Sequence, residues 1–254
     1  MGRRVFAPSL LMTALTCLLL VLFVILGRWQ WHRAETKQVL WGQFERSSTG
    51  APRPLGAQSA DELPRFSRVA VSGQWLSETQ FLLDNRPRDG RPGYEVLTPL
   101  RRADGRVLLV NRGWVAFTGY RDRLPDLRSA MAGQSSAIVT GRLDELPTAG
   151  LTAGRAAPPL RGPWPRVTSY PRSAELAASL GERRVERRVL LLDPPGRAGA
   201  QTGPQDGYAR DWKPPGRPPA QNWSYAVQWW SFGVLLLVLY VALNLRPAKK
   251  GNEN

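Results

Sequence analysis

Residues 6–26 read FAPSLLMTALTCLLLVLFVIL, and residues 226–245 read AVQWWSFGVLLLVLYVALNL. Each run holds about 20 residues, which crosses a hydrocarbon core of about 30 Å at about 1.5 Å per residue. No other apolar run of that length lies between them. The pair predicts two transmembrane α-helices flanking one large domain. A cleavable signal peptide is the competing reading of the first run, since Arg3 and Arg4 precede it. The run is long for such a segment, and Leu26-Gly27-Arg28-Trp29 offers no small-x-small cleavage site. An uncleaved anchor is the expectation.

Working outward, both short flanks are basic: Arg3 and Arg4 on one side, Arg246, Lys249 and Lys250 on the other. The positive-inside rule therefore puts residues 1–5 and 246–254 in the cytoplasm and residues 27–225 outside it. Arg28, Arg33 and Lys37 point the other way, but the rule weakens for long translocated domains. The expected location is a bacterial plasma membrane, crossed twice. The spans and flanks take about 60 residues, leaving roughly 190, enough for one domain with its own core.

The net charge is +15, and the bases are almost all arginine, with lysine only at 37, 213, 249 and 250. They are scattered and form no stripe interleaved with stacking aromatics, which excludes a nucleic-acid partner and leaves a solvated surface, membrane lipid headgroups or acidic partner surfaces. The single cysteine, Cys17, lies inside the first span. The middle domain thus has neither a disulfide nor a thiolate pair for a metal.

Between the spans, residues 27–44 are helix-compatible, with Trp29, Arg33, Lys37 and Leu40 at helical spacing and Gly42 as a stop. The first helix is expected to continue outward to there. Strand alternation then dominates, at Val69–Trp75, Gln80–Asp84, Tyr94–Leu100, Val107–Val115, Ile138–Leu143 and Val189–Asp193. Asp104-Gly105 reads as a two-residue hairpin turn. One helix is expected over Ala174–Leu180, capped by Ser173 and stopped by Gly181. The fold class is therefore a mainly antiparallel β (α+β) extracytoplasmic domain. The stretches 147–165 and 194–219, rich in Ala, Gly and Pro, read as long loops, the second as a tether to the second span.

Candidate chemistry is sparse. His32 is the only histidine, about six residues past the first span. An imidazole there is able to ligate haem iron at the membrane surface, with Arg28 and Arg33 beside it for propionates; an interfacial histidine with no ligand role is the plainer reading. No nucleophile–base pair, paired carboxylates, metal cluster or phosphate loop can be assembled, so no catalytic residue is expected. Asp84, Asp89, Asp104 and Asp193 sit beside turns, where aspartate suits the backbone. Trp29, Trp31, Trp41, Trp223, Tyr225, Trp229 and Trp230 gather at the outer ends of both spans as an aromatic belt, on which a planar cofactor would also stack. Gln30 and Gln228 either bond across the helices or face headgroup water.

The ordered strings Gly27-x-Trp29-Gln30-x-x-Arg33, Gly73-x-Trp75, Leu82-Leu83-Asp84-Asn85-Arg86, Gly93-Tyr94-x-Val96-x-Thr98-Pro99-Leu100 and Val110-Asn111-Arg112-Gly113-Trp114-Val115 resemble the surfeit locus one family. Tyr225-Ala226-x-Gln228-Trp229 is similar to its C-terminal signature. The match is of a bacterial, actinobacterial-type member. The resemblance implies a non-enzymatic assembly factor for aa3-type cytochrome c oxidase, a chaperone that assists haem a insertion into the catalytic subunit. Its implied partners are that subunit and haem a synthase. A haem a carrier and a membrane-anchored enzyme are the alternatives. Some bacterial members bear a histidine at the start of the second span; here Asn222, Trp223 and Ser224 stand before Tyr225, so that ligand is missing. Asn85 and Asn111 read as strand-end turn residues, and Arg86 and Arg112, which follow them, form one basic docking site if their strands are neighbours.

Overall fold

The computed structural model describes residues 4–47, 49–127, 131, 135–150, 154–197 and 207–247. In chain order the elements are β1 (Arg4–Phe6), α1 (Leu10–Arg46), β2 (Arg53–Pro54), β3 (Arg68–Trp75), β4 (Phe81–Leu83), β5 (Gly93–Arg101) and β6 (Val107–Ala116). They continue with β7 (Ser136–Glu145), β8 (Arg166–Thr168), α2 (Ser173–Leu180), β9 (Val185–Leu192), α3 (Pro219–Asn244) and β10 (Leu245–Pro247). The chain divides into two compact units, Met1–Gln43 with Pro214–Asn254, and Phe44–Lys213.

The first unit is a helical hairpin. Pro8 keeps the chain extended before α1, and Ser9 Oγ accepts from the Met12 N–H at 3.3 Å as an N-cap. The 37 residues of α1 span about 55 Å. Gly42 does not end it, contrary to the sequence reading: it stays helical, and no described residue nearby takes the left-handed conformation that stops a helix. Pro219 opens α3 at a first-turn position, where its missing N–H has no intrahelical partner to lose. Both helices are long and apolar enough to cross a membrane, and only 11% of each one's most apolar window is buried. A core helix of a soluble domain would be mostly covered.

The two helices interlock at small residues. The Trp230 indole lies over Gly27, where a Cβ would meet it at 2.2 Å. Thr13 and Tyr240 share a hydroxyl–hydroxyl bond of 2.7 Å. Beyond the helices, β1 and β10 pair antiparallel, with Val5 opposite Arg246, so the two flanks lie together. Arg3, Lys249 and Lys250, which carry part of the topology reading, lie outside the described residues.

The second unit is an eight-stranded sheet in the order β2-β3-β7-β9-β6-β5-β4-β8. A further β3–β5 pairing at Trp75 and Leu100 closes five of these strands into a small barrel. Most neighbours are antiparallel, as the alternation predicts, but β2–β3, β9–β6 and β4–β8 are parallel. Alternate residues of β6 face two different cores. Leu108 and Val110 join Val69, Val71, Val139, Leu143 and Leu190. Leu109 joins Phe81, Leu97, Leu191 and Leu176 of α2.

Local details depart from the sequence reading. The β5–β6 hairpin has a three-residue loop, with Gly105 N–H on the Arg102 carbonyl at 3.0 Å and Gly105 at φ +78°. A type I turn followed by a left-handed residue uses Asp-Gly differently from a two-residue turn. Arg172, not Ser173, precedes α2, and its N–H donates to Glu175 at 2.9 Å. Asp193 does stand beside the turn at 194–197, but its carboxylate is buried and bonded to Arg68 at 2.7 Å. Nor is all of 194–219 a free tether. Ala209 bridges to Trp114 on β6, Arg210 is buried, and Trp212 donates to the Leu192 carbonyl at 2.7 Å. Residues 151–153 and 198–206 of the two loop stretches lie outside the described residues.

Candidate functional site

Five motif residues of the domain, Asn85, Arg86, Gly93, Asn111 and Trp114, gather at one corner, built where β4, β5 and β6 lie side by side. Leaving β4, Asn85 takes φ +61°, and its exposed amide donates weakly to the Tyr170 hydroxyl at 3.4 Å. Arg86 N–H donates to the Gly93 carbonyl at 3.2 Å, and the Arg86 carbonyl accepts the Trp114 indole N–H at 2.6 Å. Gly93 is required beneath that indole, since a Cβ there would sit 2.4 Å from it. The Arg86 guanidinium lies over the Tyr170 ring at 5.2 Å and stands 3.9 Å from Glu95.

Asn111 is not at a strand end, contrary to the sequence reading. It is buried in the middle of β6, donating to Glu95 at 2.7 Å and accepting from Gly113 N–H at 3.1 Å. The signal missed is Glu95, a carboxylate sixteen residues away that satisfies the amide. Arg112 points to the opposite face and is fully buried. It donates to Gln80 at 3.0 Å and covers the Tyr208 ring at 5.0 Å. β5 separates β4 from β6, so Arg86 and Arg112 do not form one basic site. A buried guanidinium is not available to dock a partner. The residue that joins Arg86 is Arg121, which sequence reasoning passed over. Arg86, Arg121, Asp84, Asn85, Pro92 and Phe117 line a cleft of about 250 Å³. Asp84 bonds Arg121 at 3.0 Å and holds its guanidinium above the ordinary value. Burial, with Asp84 adding to it, pushes the neighbouring Tyr94 phenol up.

The helix residues fall into two sets. Arg28, Trp29, His32 and Arg33 are exposed. The His32 side chain is 83% exposed, with Glu35 3.5 Å from Nδ1, and Arg33 lies over the Trp29 ring at 5.5 Å. A haem bound there would meet one imidazole and two guanidiniums. Those groups suit contact at a surface. Trp31 packs between Trp223 and Trp230, centroids 6.3 and 5.7 Å away, so these aromatics fill one another's faces. Trp229 stacks on Phe23 at 5.9 Å, while Tyr225 and Gln228 are exposed.

Gln30 does bond across the helices, though not with Gln228. Its oxygen accepts from Asn222 Nδ2 at 2.6 Å, and Lys37 donates to Asn222 Oδ1 at 2.5 Å. Asn222 is buried at the centre of this bridge. The sequence marks it only as standing where some relatives of this pattern bear a histidine; a polar amide four residues ahead of the second apolar run is the signal for its role.

A family model described as SURF1 family matches residues 17–234. A SURF1-like protein of Monosiga brevicollis is 26% identical over 244 residues, covering 90% of this chain and 85% of the relative. An uncharacterised SURF1-like protein of Mycobacterium bovis is 28% identical over 220 residues, covering 84% and 74%. The cytochrome oxidase assembly protein SHY1 of Saccharomyces cerevisiae is 30% identical over 95 residues, covering 36% of this chain and 24% of that protein. The matched part spans about two fifths of the Rickettsia SURF1-like relatives, 41% in Rickettsia felis and 43% in Rickettsia bellii.

Proposed function

This chain belongs to the SURF1 family, and on that premise we propose that it is an assembly factor for cytochrome c oxidase that assists placement of haem a in the catalytic subunit. The observation that carries the reading is the family match, which runs from within α1 through the whole β domain into α3. The relative named as a cytochrome oxidase assembly protein supports its direction. The action is binding rather than catalysis. The only imidazole lies on α1, and the motif residues of the domain bond to one another.

The two apolar helices support a protein that crosses the bacterial plasma membrane twice. The β1–β10 ladder supports both flanks lying on one side, the cytoplasmic one, with the β domain outside. Haem a synthase is the second partner this reading names.

Membranes from a deletion strain test it. Oxidase subunits made in normal amount with a weakened haem a absorption band are the expected result; an unchanged band refutes the reading. A carrier differs from a scaffold in the purified protein. Stoichiometric haem a uptake that is lost in His32→Ala would identify a carrier.

A further inference from the structure

The outer end of the helical hairpin carries cations that its topology does not call for. Gln30 stands four residues past the first apolar run and Asn222 four residues before the second, so both lie about 6 Å beyond the hydrocarbon edge at about 1.5 Å per residue. Their 2.6 Å bond sits at the depth of the headgroup layer, which is about 5–8 Å thick on each face. Lys37 is seven residues further out on α1, yet its ammonium comes back to Asn222 at 2.5 Å, using one of its three donors. The charges that act on that ammonium are those of Arg33 and Arg217, both positive and both exposed. The Arg33 guanidinium also turns toward the membrane, over the ring of Trp29 at 5.5 Å. Glu35 is the only acid in residues 27–43 and 214–225. It accepts from the Trp31 indole at 2.9 Å and stands 3.5 Å from His32. Among the described residues, no carboxylate pairs with Arg33, Lys37 or Arg217. The positive-inside rule disfavours bases on the outer face, so topology does not account for them. Below Arg33 the same face of α1 continues through Trp29, Ile25 and Leu22, which are 52%, 58% and 45% exposed.

We propose that this end of the hairpin holds an anionic phospholipid, with its phosphate among Arg33, Lys37 and Arg217 and an acyl chain along Trp29, Ile25 and Leu22. A phosphodiester accepts from several donors at once, and cations without a counter-charge are the partners it fits. The apolar stripe beneath gives the chain a surface to pack on, which a free phosphate would not use. The proposal rests on the reading of both helices as membrane spans.

The test uses the purified full-length chain reconstituted in phosphatidylcholine vesicles with a trace of spin-labelled lipid. The label immobilised by the protein is compared for phosphatidylglycerol and for phosphatidylcholine. Wild type should prefer phosphatidylglycerol. Arg33→Gln and Arg217→Gln should each cut that preference by up to about five-fold, the scale of one cation at an anionic headgroup. Both arginines are exposed, so their variants should fold as wild type does. Arg53→Gln, the same charge loss at an exposed position on β2, should leave the preference unchanged. Equal preference in wild type and the two hairpin variants overturns the proposal. So does an equal loss in Arg53→Gln. Displacement of the phosphatidylglycerol by soluble glycerol phosphate at equal concentration would make free phosphate the ligand and overturns it as well. The two readings fail separately. If neither lipid is immobilised, the membrane reading fails and the site with it. If wild type holds both lipids equally, the site alone fails.

Discussion

Arg112 has the sequence context of a surface motif and the surroundings of a core residue. Its guanidinium donates to Gln80, which in turn accepts from the Thr98 hydroxyl at 2.9 Å. Losing the hydrogen bonds of a buried charged donor costs about 1.5–3 kcal/mol. Arg112→Met should therefore lower the domain's melting temperature by roughly 5–10 °C and deplete the protein in cells. Normal protein level with lost oxidase would contradict that. Glu186 gives a pH prediction. It accepts from Ala60 N–H at 3.0 Å and from Arg102 at 2.7 Å, yet burial pushes its carboxyl above the ordinary 4.5. A carboxyl with a higher pKa folded than unfolded contributes fully below the unfolded value. It loses that contribution as pH rises through the folded one. Glu186→Gln should flatten the decline in denaturant midpoint measured from pH 4.5 upward. Parallel curves for variant and wild type would refute the assignment.

The elements show what a single sequence carries and what it does not. β6 was legible from Val107 to Val115 because both its faces are apolar, and α1 and α3 were legible from length alone. β2 and β8, of two and three residues, were not. Each is a strand only because a parallel neighbour pairs with it, and no local alternation announces that. Arg86 was legible as a site residue, but its neighbour Arg121 arrives from a loop 35 positions on, since a cleft is a property of packing rather than of a string. The helix pair yields a further prediction. Asn222→Leu removes both bonds that join Gln30 and Lys37 to α3 and leaves two polar groups unanswered. Such interhelical bonds contribute about 0.6–2 kcal/mol each. Thermal unfolding in detergent, followed by tryptophan fluorescence, should show the loss, whereas Gln228→Leu on the exposed face should show none.

For the whole molecule, the order of pairing matters more than the count of strands. β6 cannot complete either core until β9 lies parallel beside it, and β7 needs β9 as well. A chain ended at residue 184, lacking β9, should yield no protease-resistant fragment from the 44–213 unit, where the full chain yields one. A resistant fragment from the truncated chain would show that the first half folds alone. The Lys37–Asn222 contact adds a clock to this order. Its partners are 185 residues apart, and a ribosome adding roughly 5–20 residues per second makes them roughly 10–40 s apart. Through that interval the first helix exists with an ammonium and an amide that nothing yet answers. The nascent chain, not the finished protein, is the state most open to wrong partners, and completion of the last helix ends its exposure.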